Sequence, residues 1–216
     1  MLKATFFSEG RVDAILLEYG GRYGFLDAGM PSNGPRCVTK MKSWGVEKLD
    51  WYVGTHAHKD HIGGAGAVIR AFHPDMVYIP HDRVRQRIIK FAARGAERSA
   101  AEMARYEIVG PGDSFTLGSA TIRVFGPLRV RNYPPGITAE NYNSLILRAE
   151  TPEGNAILLT GDTSASILRA VEAAYPGSVK ARVLKNPHHN GALPLGVLRM
   201  IAPEIVAVCN GARPGS

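Results

Sequence analysis

Two cysteines among 216 residues, Cys37 and Cys209, are too few for a disulfide framework. Cys37 falls in an expected helix and Cys209 in an apolar run, so both read as packing residues. No run of about 18 apolar residues occurs, so no transmembrane helix and no membrane partner is expected. The opening Met1-Leu2-Lys3-Ala4-Thr5-Phe6-Phe7 is too short and too polar for a secretory leader, and the expected compartment is the cytoplasm. Acidic residues are in deficit, 19 against 26 Lys and Arg, for a formal net charge of +7. A basic surface favours polyanions such as nucleic acid or phosphorylated metabolites. The other reading of that charge is a solvated surface with no ligand. Hydrophobic residues make up 45% and charged residues 21%, which suits a globular chain forming a single domain over residues 1–216.

Against that background stands Thr55-His56-Ala57-His58-Lys59-Asp60-His61, with three histidines and a carboxylate within six residues. The apolar Trp51-Tyr52-Val53 precedes it and Ile62-Gly63-Gly64-Ala65-Gly66 follows, as for a strand running into a loop and then a helix. Imidazole nitrogens and carboxylate oxygens are ligands that Zn²⁺ prefers. In an extended loop His56 and His58 project to one side and can grip one metal together. Asp60 and His61 can reach a second. Two metals roughly 3.5–4 Å apart can clamp a phosphoryl or acyl centre. Ordinary polar loop residues rarely arrive in this order.

His56-Ala57-His58-Lys59-Asp60-His61 resembles the HxHxDH signature of the metallo-β-lactamase superfamily, and the Gly63-Gly64 that follows is similar too. The resemblance implies an α/β chain folded as a four-layer αββα sandwich. It implies a metal site at one edge of the two sheets and metal-assisted hydrolysis as the chemistry.

The chain in order gives expected strands over 2–8, 12–19 and 22–26, with Gly20-Gly21 as a hairpin signal. Asp27 follows the third. It is a turn-forming residue that could also orient a metal ligand, and the resemblance implies that second role. A helix over 36–44 ends at Gly45. The strand over 49–54 delivers the histidines. The helix over 64–72 is expected to aim its N-terminus at the site, which suits an anion. His81, after a strand over 76–80, is a further candidate ligand, although polar residues at strand exits are common. Residues 84–106 read as helix broken near Gly95, with the densest basic run, better taken as a solvated face than as a polyanion contact. A strand over 107–109 and a hairpin of 115–117 with 120–125 follow. The loop over 126–136 carries Arg129, Arg131 and Tyr133 as candidate substrate contacts. Strands over 144–149, 155–160 and 179–184 and a helix over 163–175 repeat the strand-rich pattern of the first half.

Leu158-Leu159-Thr160-Gly161-Asp162 ends the strand over 155–160. Asp162 can cap the next helix, or sit low between two metals, and it resembles the family's bridging aspartate. Lys185-Asn186-Pro187-His188-His189-Asn190-Gly191 supplies tandem histidines. One should bind the second metal, with His189 favoured, and His188 is left to touch substrate or hold a carboxylate. Many superfamily members place a histidine where this sequence has Asn141. Asparagine is a weak neutral ligand, which implies looser binding at the His56–His58 position and admits Mn²⁺ beside Zn²⁺. Together with Glu140-Asn141-x-x-Ser144-Leu145, these motifs resemble the subgroup containing the hydrolase domain of the competence protein ComEC and the phosphorylcholine esterases. Relatives carry a glycine-rich turn ending Gly-Asp-Ala where this chain reads Phe7-Ser8-Glu9-Gly10-Arg11-Val12-Asp13-Ala14, so Asp13 keeps the aspartate. Relatives also continue into a last helix, which is expected to be missing here.

The leading expectation is a hydrolase holding zinc at two positions, the first weak, with manganese as alternative. It would act by a metal-activated water on an anionic phosphodiester, nucleic acid included. The expected metal ligands are His56, His58, Asp60, His61, Asp162 and His189. Asn141 and Asp27 are expected as weak ligand or orienting groups. Asp60 and His188 are assigned to catalysis, and Lys59, Arg131 and Tyr133 to substrate. An acyl or amide hydrolase is the rival enzyme reading; the missing histidine and the basic balance weigh against it. A nucleic-acid-binding module with a structural metal is the non-enzymatic rival. A structural zinc site is closed by four ligands, fewer than the candidates here.

Overall fold

Alternation along the strands decides which layer each side chain joins. In β2 (Ile15–Tyr19) Ile15 and Leu17 enter one apolar cluster and Leu16 another, as extended backbone requires. In β4 (Trp51–Val53) Trp51 and Val53 join the first of these clusters and Tyr52 the second. In β10 (Ala156–Leu159) Ile157 and Leu159 face the shared central cluster, while Ala156 and Leu158 face a third. The computed structural model describes residues 1–8, 10–128 and 138–211.

Two six-stranded sheets enclose the central layer. The first runs β1 (Lys3–Phe6), β2, β3 (Arg22–Leu26), β4, β5 (Met76–Ile79), β6 (Tyr106–Ile108). The second runs β12 (Ile205–Ala207), β11 (Val183–Lys185), β10, β9 (Ile146–Glu150), β8 (Ala120–Gly126), β7 (Ser114–Leu117). Each combines an antiparallel meander with parallel strands at one side, the internal repeat expected from the sequence. Trp51 joins the sheets. Its indole N–H donates to Thr116 O at 2.9 Å, and its ring meets Phe115 edge-on at 5.3 Å. Gly24 makes room for it, since a Cβ there would lie 2.2 Å from the indole.

Helices cover both outer faces. α1 (Asn33–Ser43), α3 (Ala65–Phe72), α4 (Asp82–Phe91) and α5 (Ala96–Met103) bury Met41, Val68, Ile69, Ile88 and Ala101 against the first sheet. α7 (Ala165–Ala174) and α8 (Leu195–Ile201) bury Leu168, Val171, Val197 and Ile201 against the second. Short helices α2 (Lys59–Ile62) and α6 (Ala139–Tyr142) lie at the sheet edge. This is the expected four-layer αββα sandwich. None of the described helices is long and apolar enough to cross a membrane.

Local expectations needed correction. The helix expected over 84–106 breaks near Gly95 as expected, into α4 and α5, but its end does not hold: Tyr106 belongs to β6, where it pairs in parallel with Val77. The strand expected over 12–19 starts only at Ile15, which leaves Asp13 in the connection before it. The strand expected over 179–184 is β11, displaced to Val183–Lys185. Residues 59–62 are helical, not extended. The N-cap residue of α3 is packed on α1: a Cβ on Gly64 would lie 2.6 Å from Gly34 Cα and 2.4 Å from Ala28 O.

Candidate metal centre

Parallel pairing brings the chemistry to one edge. β3 and β4 are parallel, so Asp27 and the segment from Thr55 to His61 leave the sheet at the same end. β10 and β11 are parallel too and lead to Asp162 and to His188-His189. Leu145 N donates to Thr55 O at 2.9 Å and fastens the two halves together there.

Hydrogen bonds set the imidazoles. Asp27 accepts from Thr55 N at 2.9 Å, from the Thr55 hydroxyl at 2.7 Å and from His61 Nδ1 at 2.7 Å. Having given its one proton to Asp27, the Thr55 hydroxyl can only accept from His56 Nδ1, 3.1 Å away. These partners place a proton on Nδ1 of both rings and turn Nε2 toward the site. His56 Nε2 lies 3.1 Å from His58 Nδ1 and 4.0 Å from Asp162 Oδ2. His61 Nε2 lies 3.2 Å from Asp162 Oδ1. His189 Nε2 lies 3.2 Å from Asp60 Oδ2 and 3.7 Å from Asp162 Oδ2, and its Nδ1 is 3.3 Å from Asp13 Oδ1. Asp162 thus stands between His56–His58 on one side and Asp60–His61–His189 on the other.

These residues fit a metal. Two nitrogens each about 2.0–2.1 Å from a tetrahedral ion lie about 3.3 Å apart, close to the 3.1 Å between His56 and His58. His61 Nε2 and Asp162 Oδ1 are buried and take no hydrogen bond among the described residues. Buried polar atoms are rarely left so, and a cation satisfies them. Two sets of acidic and imidazole groups converge closely enough for an ion: Asp13, His61, Asp162 and His189, and His56, His58 and Asp162.

The electrostatics divide the protons unevenly. Burial alone would raise Asp162, but His61, Lys185 and His56 outweigh it and hold the carboxyl far below its usual range. Burial is likewise outweighed at Asp13, by Lys185, His61 and His189. His56 is pushed well down by burial and by His61. His61 goes well up, because Asp162, Asp27 and Asp13 overcome its burial. His189 is raised against burial by Asp13 and Asp60.

Among the other expected residues, Asp60 is partly exposed on α2 and Lys59 beside it is exposed. The His188 side chain is 45% exposed with Nε2 3.9 Å from Asp162 Oδ2. Both tandem histidines have positive φ, 50° and 60°, a conformation non-glycine residues hold only when their surroundings impose it. Asn141 lies on α6, whose cap Thr138 has its hydroxyl 3.5 Å from His58 Nε2. Its Oδ1 is buried and accepts no hydrogen bond among the described residues. His81 caps α4 and is not in either convergent set. Arg129, Arg131 and Tyr133 lie outside the described residues. Sequence reasoning gave no role to Asp13 or Lys185, both 1% exposed at the centre of the site. The available signal was a lysine closing the buried strand Val183–Lys185. Cys209 is buried as expected, but its thiol also meets Asp13, and burial with that contact pushes it up to about 12.

A sequence profile described as the metallo-beta-lactamase superfamily matches residues 8–139. ComE operon protein 3 of Bacillus subtilis (strain 168) is 27% identical over 176 residues, 77% of this chain and 20% of that protein. The chain therefore spans about a fifth of the length of that curated relative. Among solved structures, a B3 metallo-β-lactamase described as having an active-site glutamic acid superposes with a TM-score of 0.57 at 20% identity, covering 88% of this chain and 80% of that one. MEM-A1, a subclass B3 metallo-β-lactamase from a soil metagenome library, gives 0.55 at 14% identity, covering 86% and 79%. At these identities the structural likeness is one of fold.

Proposed function

The chain belongs to the metallo-β-lactamase superfamily, and on that premise we propose that it is a metal-dependent hydrolase of phosphodiester bonds. The observation that carries the hydrolase reading is the position of Asp162 between two imidazole sets. His56, His58 and Asp162 would hold one metal, and Asp60, His61, Asp162 and His189 the other. Zinc suits both sets, with manganese as the alternative at the first, where Asn141 stands in for a stronger ligand. Metal bound there polarises an ester oxygen and lowers the pKa of water.

The chain's own groups do the rest. Asp27 and Thr55 hold His61 and His56 with Nε2 forward. Asp60 fixes the side of the site from which water is directed at the ester. His188, half exposed beside Asp162, is placed to give a proton to the leaving oxygen. Lys59 and the net charge of +7 favour an anionic substrate, and Arg131 and Tyr133 are assigned to the same role. The phosphodiester could be nucleic acid or a smaller ester.

The solved neighbours are named as β-lactamases, so amide hydrolysis is the reading to test against. Stripped protein should be assayed on bis(p-nitrophenyl) phosphate and on a chromogenic β-lactam, with Zn²⁺ or Mn²⁺ added back. The expected result is metal-dependent phosphodiester turnover that falls at least about 100-fold in Asp60→Ala. Turnover of the lactam alone would replace this reading with the acyl one. Bound metal with neither activity would favour a binding module.

A further inference from the structure

Lys185 is a fully buried cation inside the candidate metal centre. Its ammonium bonds Asp13 Oδ2, donates to Gly161 O at 2.9 Å and stands 3.8 Å from Asp162 Oδ1. Asp13 is held from behind as well. Its N–H donates to Asp60 O at 3.3 Å, and its carbonyl accepts from Gly29 N at 2.9 Å. Asp13 Oδ2 is thus taken by Lys185, and Oδ1 faces His189 Nδ1 at 3.3 Å. The His189 ring reaches from Asp13 at Nδ1 to Asp60 at Nε2.

By composition alone Asp13 is as good a ligand as Asp60, and it converges with His61, Asp162 and His189. Its surroundings decide otherwise. We propose that Lys185 is a resident counter-ion that keeps Asp13 out of the metal's coordination, so that Asp13 instead takes the His189 Nδ1 proton and turns Nε2 toward the metal. Both are positioning residues. A carboxylate behind a ligating imidazole fixes which nitrogen binds and raises its basicity. A buried ammonium beside two buried carboxylates offsets charge that would otherwise stand unpaired when no metal is bound. The inference rests on the metal-centre reading above, and neither residue is a metal ligand in it.

The charge logic gives a crossed pattern. Lys185→Met removes a positive charge beside the metal and leaves carboxylates that only the metal can satisfy, so zinc should bind about tenfold or more tightly. Asp13→Asn leaves the lysine facing the metal and frees His189 to turn, so zinc should bind about 10- to 100-fold more weakly. The Lys185→Met/Asp13→Asn double variant, neutral as the wild-type pair is, should return close to the wild-type constant. Chelator competition measures all four proteins. Weakening in all three variants would overturn the proposal, because a merely structural pair behaves that way. ¹⁵N spectra of zinc-loaded wild type provide a readout that needs no variant to fold. His189 should bind through Nε2 and carry its proton on Nδ1, and binding through Nδ1 overturns the assignment. Failure of the wild type to bind zinc at all would instead strike the metal-centre reading and take this proposal with it.

Discussion

Two of the candidate ligands at this site, His56 and His61, are set by neighbours outside the convergent sets, Thr55 and Asp27. Asp27 is the clearest case, since one carboxylate takes the Thr55 hydroxyl and the His61 ring. Asp27→Ala should therefore weaken zinc binding by about 10- to 100-fold while leaving the ligand residues in place, as read by chelator competition. The proton balance gives a second prediction. His61 and His189 are raised above the ordinary 6.5 in the folded chain. Their contribution to the stability of metal-free protein is complete below 6.5 and is lost as pH rises through the raised values. Metal must displace those protons, so affinity should fall with falling pH and binding near neutrality should release protons. Calorimetry in two buffers of different ionisation enthalpy would show this as a buffer-dependent heat, and an unchanged heat would contradict it. At this scale the residues from His56 to His61 were legible because ligand type and spacing are local. Asp13 and Lys185 were not, because each is explained only by the other, far along the chain.

Strand ends and turns carry the site. Gly161 has φ +53°, and a Cβ there would lie 2.8 Å from Ser144 Cβ. Ser144 Oγ in turn accepts from Asp162 N at 3.1 Å. Gly161→Ala should therefore cost about 1–3 kcal/mol in urea unfolding and also loosen metal binding, whereas Gly154→Ala, with positive φ but open space around it, should affect only stability. Apolar alternation made most strands visible in the sequence. Their ends were less visible, because pairing partners set them: Tyr106 reads as the tail of a helix until Val77 claims it for β6. The helical turn at Lys59–Ile62 was hidden because Asp60-His61 reads equally well as extended loop.

The described residues form two six-stranded sheets closed over Trp51 and its neighbours, with the site at the edge where both run out. That architecture was legible from one motif and the repetition of strands in the second half. The substrate was not, because it depends on side chains around the site and on surface charge, which a fold leaves free to vary. The function proposed above requires a pair of metal positions sharing Asp162. Metal content per chain, determined after zinc loading and desalting for wild type and Asp162→Ala, tests that most directly. The account predicts about two zinc ions in the wild type and one at most in the variant, each position losing a ligand. No zinc in the wild type, or two retained without Asp162, would contradict it.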